Sequence, residues 1–304
     1  MATILYVYLF RDMVISCLNI IFGALMPDLK VQTKDMTGRI AIVTGANSGI
    51  GYQLALDLAK AGSVVYLACR NTAKGQDATQ AIIDTVARAV ADSGGKQESR
   101  VHALPLDTSS LKSVRRFAQM WREMGGHPID VLIHNAGIAS PPKGEDLTDE
   151  GLGTIYATNF LGSFVLTALL EKYLTPKARV IFTCSTGQYV GTLASLLSSP
   201  RGVKEEGLLN QLLGRKTPDS QHYANTKLMQ IAFAKLLQQR WDAKGADVPA
   251  KTYSAGEVYA RQRNKGPTAH AFAPGYVYTP IFSKLHGLPT VSYTHLTLPT
   301  TPYV

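Results

Sequence analysis

RIAIVTGANSGIG, residues 39–51, is an apolar run that ends in a turn with three closely spaced glycines. A short apolar run followed by Gly45, Gly49 and Gly51 is typical of a buried strand that turns sharply into a helix. Because glycine lacks a Cβ atom, such a turn brings backbone N–H groups close to a bound pyrophosphate. We therefore expect a dinucleotide site built from Gly45, Asn47, Ser48, Gly49, Ile50 and Gly51.

Apolar runs and helical stretches alternate along the rest of the chain. We expect strands at 39–43, 63–69, 100–106, 130–134, 179–185 and 268–273, and helices at 50–61, from the second strand through Val90, at 154–173 and at 222–241. This alternation predicts an α/β fold in one domain, with a doubly wound parallel (Rossmann) sheet covered by helices on both faces. Two polar stretches, 196–219 and 251–267, are expected to be surface loops.

Three further motifs follow the glycine turn in a fixed order. They are HNAG at residues 134–137, Ser185 at the end of an apolar run, and YANTK at residues 223–227. Tyr223 and Lys227 lie in a proline-free helical stretch, where residues four apart share one face. Tyr173 and Lys177 have the same spacing, but a proline lies between them. We therefore do not expect that pair to share a helix face.

The ordered set of motifs resembles the short-chain dehydrogenase/reductase family over roughly residues 37–280. The long gap between Ser185 and Tyr223 is more similar to the retinol-dehydrogenase-type and polyprenol-dehydrogenase-like branch than to the compact bacterial members. The resemblance implies an enzyme that interconverts an alcohol and a ketone or aldehyde, with a nicotinamide cofactor and a small-molecule substrate.

The resemblance also implies a catalytic set, which comprises Asn159, Ser185, Tyr223 and Lys227. Tyr223 is expected to act as general acid/base, and the cation of Lys227, one turn away, is expected to favour its phenolate form. Ser185 would hold the substrate oxygen, and Asn159 would hold a water that leads protons to the lysine. The implied cofactor contacts are Asp107 at the adenine, Asn135 near the ribose, Thr279 at the nicotinamide carboxamide, and also Ala136, Gly137, Tyr223, Lys227, Pro274 and Gly275.

The end of the second strand carries the residues that choose between the two nicotinamide cofactors. An NAD site needs an Asp or Glu there to accept a hydrogen bond from the ribose 2′-OH. This chain has Cys69 followed by Arg70, so a guanidinium group stands where the carboxylate would be. Because a guanidinium can bind a phosphate through two hydrogen bonds, we expect NADP(H).

Composition restricts the other classes of partner. Most of the net charge of +9 comes from residues 201–284. This is consistent with a solvated basic face, an anionic membrane surface or a phosphorylated ligand nearby. The charges are dispersed and no nucleic-acid-binding motif accompanies them, so no nucleic-acid partner is expected. The three cysteines, Cys17, Cys69 and Cys184, have no metal-site spacing and no disulfide framework, which indicates a reducing compartment and no metal site.

The amino-terminal segment, residues 1–35, contains two apolar runs at 2–10 and 13–26, separated by Arg11 and Asp12. Each run is shorter than the roughly 20 residues that cross a bilayer, and the charged pair opposes insertion of the two together. The segment is therefore either a membrane anchor or interfacial helix, or a helix packed on the protein's own core. Basic residues follow it, so an anchor would leave the catalytic domain in the cytosol, on the endoplasmic reticulum membrane; the alternative location is cytoplasmic.

The last residues, 291–304, are not expected to belong to the domain of residues 36–290. From Val291 the chain reads VSYTHLTLPT, which resembles the translation of a transposase adapter from short-read sequencing. We therefore expect residues 291–304 to be a non-native tail, disordered or weakly packed. We also expect the domain to be incomplete at its carboxyl end and the chain as printed to have little activity.

Three functional hypotheses follow. The first is an NADP(H)-dependent oxidoreductase acting on a hydrophobic retinoid-, sterol- or polyprenol-like substrate at a membrane. The second is a soluble carbonyl reductase of small metabolites, and the third is a non-catalytic binding protein on the same scaffold. Family members often form dimers or tetramers, which implies a homo-oligomer by analogy alone.

Overall fold

Six parallel strands form one sheet in the order β3-β2-β1-β4-β5-β6. The computed structural model describes residues 14, 34–92, 94, 99–193, 219–244 and 266–274. Within them the strands are β1 Ile40–Thr44, β2 Val64–Cys69, β3 Val101–Pro105, β4 Ile129–His134, β5 Leu174–Thr183 and β6 Thr268–Phe272. The strand order reverses between β1 and β4, so the expected doubly wound Rossmann fold is confirmed.

Helices cover both faces of this sheet. They are α1 Gly49–Lys60, α2 Thr72–Asp92, α3 Leu111–Glu123, α4 Thr154–Tyr156, α5 Gly162–Leu170 and α6 Asp219–Lys244. A π-helical turn, Ala157–Leu161, joins α4 to α5, and 3-10 turns lie at Glu171–Tyr173 and Thr186–Val190. The sequence analysis did not predict α3, which the Ser110 side chain caps by accepting a hydrogen bond from the Ser113 amide.

Two apolar clusters, one on each face, hold the helices to the sheet. Ile42 in β1 packs with Phe117 of α3, Leu166 of α5 and Leu237 of α6. The residues on either side of Ile42 pack in the other cluster with α1 and α2. Successive side chains of a strand point to opposite faces, so a strand buried on both faces must be continuously apolar. This explains why the run that precedes the glycine turn has no polar alternation.

The strand bounds differ from the predicted ones in two places that concern the site. β5 begins at Leu174 and ends at Thr183, so Ser185 lies just beyond the strand instead of at its end. β3 ends at Pro105, which leaves Asp107 in the following loop. The early start of β5 also puts Lys177 in a strand, while Tyr173 ends a 3-10 turn, so these two residues do not share a helix face, as predicted.

Several predicted segments fall outside the described residues. They are the apolar runs at 2–10 and 13–26 except Val14, most of the two polar stretches at 196–218 and 251–265, and the tail at 291–304. Asp219 belongs to α6, although it was predicted to end a loop. In the part of the chain that the structure describes, no helix has both the length and the apolar character needed to cross a membrane.

Candidate active site

The glycine turn lies between β1 and α1, at the carboxyl edge of the sheet. Gly45 has φ +65° and Gly49 has φ +59°, a region that side-chain-bearing residues rarely adopt. A Cβ atom on Gly45 would lie 2.9 Å from the Ala136 Cα atom, and one on Gly51 would lie 2.5 Å from the Gly45 carbonyl oxygen. The backbone path and the close packing therefore both require glycine at this turn.

The first turn of α1 fits an anionic ligand. It contains no acidic side chain, and the side chain of Ser48 at the N-cap makes no capping hydrogen bond. The first amides of an α-helix have no partner within the helix, and the helix dipole attracts negative charge to this end. The expected pyrophosphate site at Gly45, Asn47, Ser48, Gly49, Ile50 and Gly51 thus has a suitable backbone.

Thr44 joins the glycine turn to the end of β4. Its buried hydroxyl oxygen accepts hydrogen bonds from the Asn135 amide, at 2.9 Å, and from the Ala136 amide, at 3.0 Å. The Asn135 side chain donates in turn to the carbonyl oxygens of Thr44 and Gly45. These bonds fix the ends of two neighbouring strands relative to each other. Asn135 therefore shapes the expected cofactor loop through the backbone.

Arg70 lies beside the same loop. The Cys69 thiol accepts backbone hydrogen bonds from Ala46 and Asn47, and the Gly45 amide donates to the Ala68 carbonyl at 2.8 Å. These bonds hold the glycine turn against the end of β2, and Arg70 is the next, exposed residue. The carboxylate of Asp107, after β3, accepts hydrogen bonds from the amide and hydroxyl of Ser109.

Ser185 and Tyr223 meet where β5 ends against α6. A hydrogen bond joins their side chains, and the Ser185 oxygen also accepts a bond from the Gly187 amide at 3.2 Å. The segment after Ser185 packs directly on the backbone of α6, since a Cβ atom on Gly191 would lie 2.6 Å from the Ala224 carbonyl oxygen. The position of Ser185 relative to Tyr223 is thus fixed by main-chain contact.

Lys227 is buried beneath Tyr223, with 3% of its surface exposed. Its Nζ atom lies 5.4 Å from the centroid of the Tyr223 ring. It donates to the Thr183 carbonyl oxygen at 2.7 Å and to the Gln230 Oε1 atom at 3.2 Å. Burial lowers the pKa of Lys227 to about 8 because the interior solvates the ammonium poorly.

Burial also raises the pKa of Tyr223 above its usual value. The hydrogen bond from Ser185 lowers it and the Cys184 thiol raises it further, but both effects are smaller than that of burial. The sequence analysis considered the cation of Lys227, which favours the phenolate, and did not anticipate the effect of burial. Cys184 stays neutral near pH 7 because burial raises its own pKa to about 12.

Asn159 lies fully buried in the π-helical turn, next to Lys227. Its side-chain oxygen accepts from the Ile138 amide at 2.8 Å, and its side-chain nitrogen donates to the Ile138 carbonyl at 2.9 Å. The same nitrogen donates to the Thr226 hydroxyl at 3.1 Å. Its main-chain carbonyl accepts from the Gln230 side chain at 2.6 Å. Asn159 thus links the loop after β4 to α6.

The predicted residues therefore come together at the carboxyl edge of the sheet. Ser185, Tyr223, Lys227 and Asn159 form one hydrogen-bonded and packed group, and Gly137 lies against it, since a Cβ atom there would be 3.5 Å from the Lys227 Nζ atom. Pro274 follows β6, whereas Gly275 and Thr279 lie outside the described residues.

Sequence reasoning missed two residues of the site, Thr44 and Gln230. Thr44 lies within the run 39–51, but hydrogen bonds to the backbone of a distant strand leave no local pattern that would single it out. Gln230 is three residues after Lys227 on a predicted helix, so the two side chains share one face. This spacing is the signal from which Gln230 could have been predicted.

The profile of the family described as short chain dehydrogenase matches residues 39–195. The chain belongs to this family. Among its curated relatives, the WW domain-containing oxidoreductase of Gallus gallus is 38% identical over 51% of this chain and 35% of its own length. The polyprenol dehydrogenase of Mus musculus is 35% identical over 73% of this chain and 60% of its own length. Retinol dehydrogenase 11 of the same organism is 33% identical over 74% of this chain and 63% of its own length. The chain thus spans less than two thirds of these relatives.

Solved structures of other proteins have the same fold. An uncharacterized protein from Mycobacterium paratuberculosis superposes with a TM-score of 0.57 at 28% identity, over 85% of this chain and 80% of that one. The NADP complex of RhlG from Pseudomonas aeruginosa superposes with a TM-score of 0.53 at 20% identity, over 82% and 77%. The relatives confirm the predicted family and its retinol- and polyprenol-dehydrogenase-like branch.

Thr44→Val should destabilise this short-chain dehydrogenase, because it leaves the Asn135 and Ala136 amides without their acceptor. We expect a loss of about 1–3 kcal/mol in the free energy of unfolding, measured by urea denaturation. Thr44→Ser is the control, since it keeps the oxygen and removes one methyl group. Equal stability of the valine and serine variants would show that the hydroxyl does not hold the two strands.

Proposed function

We propose that this protein is an NADP(H)-dependent oxidoreductase that interconverts an alcohol and a ketone or aldehyde. The observation that carries the proposal is the packing of a buried ammonium group, Lys227, under a phenol that is hydrogen-bonded to Ser185. This group adjoins a glycine turn whose helix terminus suits a pyrophosphate. A proton donor and a cofactor loop at one edge of the sheet are the parts that carbonyl reduction requires.

Each side chain has a separate task in this reaction. NADPH, when bound, supplies the hydride for the carbonyl carbon. Tyr223 donates a proton to the substrate oxygen during reduction and accepts it during oxidation. Ser185 holds that oxygen beside the phenol. A Cβ atom on Gly187 would lie in van der Waals contact with the Ser185 Oγ atom, at 3.6 Å, and with the Tyr223 ring, at 3.8 Å, so the glycine leaves the space beside both groups to the substrate.

Lys227 has two tasks in the proposal. Its positive charge offsets part of the effect of burial on Tyr223 and so favours the phenolate that oxidation needs. An ammonium group has three N–H donors, and the Thr183 carbonyl and Gln230 account for two of them. Among the described residues no other acceptor bonds to this ammonium group, and the third donor would bind a ribose hydroxyl of the cofactor. Asn159 supports this arrangement from the other side of the lysine.

The preference for NADP(H) rests on Arg70. The hydrogen bonds from Ala46 and Asn47 hold Cys69 against the glycine turn, and Arg70 is the next, exposed residue. The 2′-phosphate of NADP(H) would lie near the end of β2, where the chain offers a cation and no carboxylate. RhlG, which has the same fold, was solved with NADP.

A hydrophobic substrate is the second part of the proposal. The relatives include enzymes named for polyprenol and for retinol, both of which are apolar alcohols. The apolar runs at 2–10 and 13–26 would hold the enzyme at a membrane, where such alcohols dissolve. We therefore propose a retinoid-, sterol- or polyprenol-like substrate and a cytosol-facing enzyme on the endoplasmic reticulum membrane.

Tyr223→Phe should abolish turnover and leave NADPH binding nearly unchanged, because the ring still packs but no longer carries a proton. Turnover is measured by NADPH absorbance on the full-length native protein with a panel of ketones and alcohols, and binding by NADPH fluorescence. Tyr173→Phe is the matched control, since it alters the other tyrosine that stands four residues before a lysine.

Two outcomes would contradict this assignment. Substantial turnover by Tyr223→Phe would remove Tyr223 from its role as proton donor. NADPH binding without turnover of any alcohol or ketone by the unaltered protein would favour a non-catalytic binding protein on this scaffold.

Arg70→Asp should weaken NADPH binding and shift the preference towards NADH, because an attraction to the 2′-phosphate becomes a repulsion. We expect the dissociation constant of NADH divided by that of NADPH to fall by at least about tenfold. Lys172→Asp makes the same change of charge just before β5, at the amino-terminal ends of the strands and so on the side of the sheet away from the glycine turn. It should leave the ratio unchanged. An unchanged ratio in Arg70→Asp would reject the cofactor assignment.

Deletion of residues 2–26 should move the protein from the membrane pellet to the soluble fraction, because it removes both apolar runs. The measurement is carbonate extraction of cell membranes followed by immunoblotting. A full-length protein that is already soluble would instead support a cytoplasmic carbonyl reductase with its amino-terminal helix packed on the core.

A further inference from the structure

Gln230 is fully buried between the lysine and the π-helical turn. Its Oε1 atom accepts hydrogen bonds from the Lys227 Nζ atom at 3.2 Å and from the Cys184 Sγ atom at 3.9 Å. Its Nε2 atom donates to the main-chain carbonyl of Asn159 at 2.6 Å. One amide group thus connects a buried cation on α6 with the backbone of the turn between α4 and α5.

The direction of this amide follows from the chemistry of Lys227 and of the Asn159 carbonyl. An ammonium group can only donate, and a carbonyl oxygen can only accept. The oxygen of Gln230 must therefore face Lys227, and its nitrogen must face Asn159. A side chain with an acceptor alone, or with neither group, cannot satisfy both partners at once.

Among the described residues, the other acceptor of the lysine is the Thr183 carbonyl. On the strand side, Lys227 donates to the Thr183 carbonyl, whose strand ends at that residue. On the side of the loop after β4, a Cβ atom on Gly137 would already lie 3.5 Å from the Nζ atom. A buried charge without hydrogen-bond partners loses its proton, so each acceptor here has a large effect.

We propose that Gln230 is a positioning residue that ties the ammonium group of Lys227 to the Asn159 carbonyl and so keeps the lysine both in place and charged. The inference rests on the proposed function, because Gln230 would act through Lys227 on the proton transfer of Tyr223. It predicts that loss of the amide changes the protonation of Lys227, beyond any loss of stability.

The titratable groups that act on Lys227 are the Cys184 thiol on the β5 side and the Tyr223 phenol on α6. Burial holds the pKa of Cys184 at about 12 and raises that of Tyr223, so both are neutral near pH 7. The pKa of Lys227 is already lowered to about 8 by burial. Removal of a neutral acceptor that favours the charged form must lower it further.

The first test is Gln230→Met, which keeps the volume and length of the side chain but none of its three hydrogen bonds. The full-length protein is labelled with ¹³C at the lysine Cε atoms, and the Lys227 signal is assigned by its loss in Lys227→Arg. We expect the pKa of Lys227 from this signal to fall by about one unit, since a hydrogen bond to a charged group is lost.

Two companion variants separate this role from a structural one. Gln230→Glu keeps an oxygen within reach of the ammonium, so the pKa of Lys227 should equal or exceed that of the unaltered protein. Gln239→Met makes the same substitution on an exposed position of α6 and should leave the pKa unchanged. If Gln230→Met and Gln230→Glu lower the pKa equally, or neither differs from Gln239→Met, the proposal is overturned.

Turnover gives a second readout. In Gln230→Met, Lys227 is charged in a smaller fraction of the molecules, so Tyr223 loses its proton at a higher pH. The pH midpoint of alcohol oxidation should therefore shift upwards. A lower plateau at an unchanged pH midpoint would indicate a packing role alone and contradict the proposal. The lysine titration needs no turnover, so it tests Gln230 even if the proposed function fails.

Discussion

The ammonium group of Lys227 lies in the interior, and the site depends on how this charge is accommodated. A charge in a poorly solvating interior persists only where acceptors surround it. The acceptors come from two separate parts of the fold, the Thr183 carbonyl at the end of β5 and the Gln230 amide on α6. Gln230 in turn bonds to the backbone of the π-helical turn. The charge therefore brings together three elements that are far apart along the chain.

The parallel sheet explains why the cofactor loop lies next to this group. All the strands end at the same edge, so the glycine turn after β1 and Ser185 after β5 lie at that edge with Gly137 between them. Thr44 fixes the first of these segments to the loop after β4, and Asn159 fixes that loop to α6. Hydrogen bonds made by the side chains of Thr44 and Asn159 thus transmit the sheet geometry to the site.

Local patterns allowed most of the fold and the central residues to be predicted. The buried strand before the glycine turn and the spacing of Tyr223 and Lys227 are local patterns, so the sequence displays them. The effect of burial, which raises the pKa of Tyr223, was not anticipated, because it depends on packing from β5 and α6 that no local pattern records. Thr44 and Gln230 were missed for a related reason, since both act on the backbone of distant segments.

A crystal structure of the full-length protein with NADP⁺ tests most directly the claim that the glycine turn and the buried lysine form one site. The account predicts the pyrophosphate on the amides at the start of α1, the 2′-phosphate at Arg70, and the nicotinamide ring beside Tyr223. It also predicts a ribose hydroxyl within hydrogen-bond distance of the Lys227 Nζ atom. A cofactor bound elsewhere, or a nicotinamide ring remote from Tyr223, would contradict it.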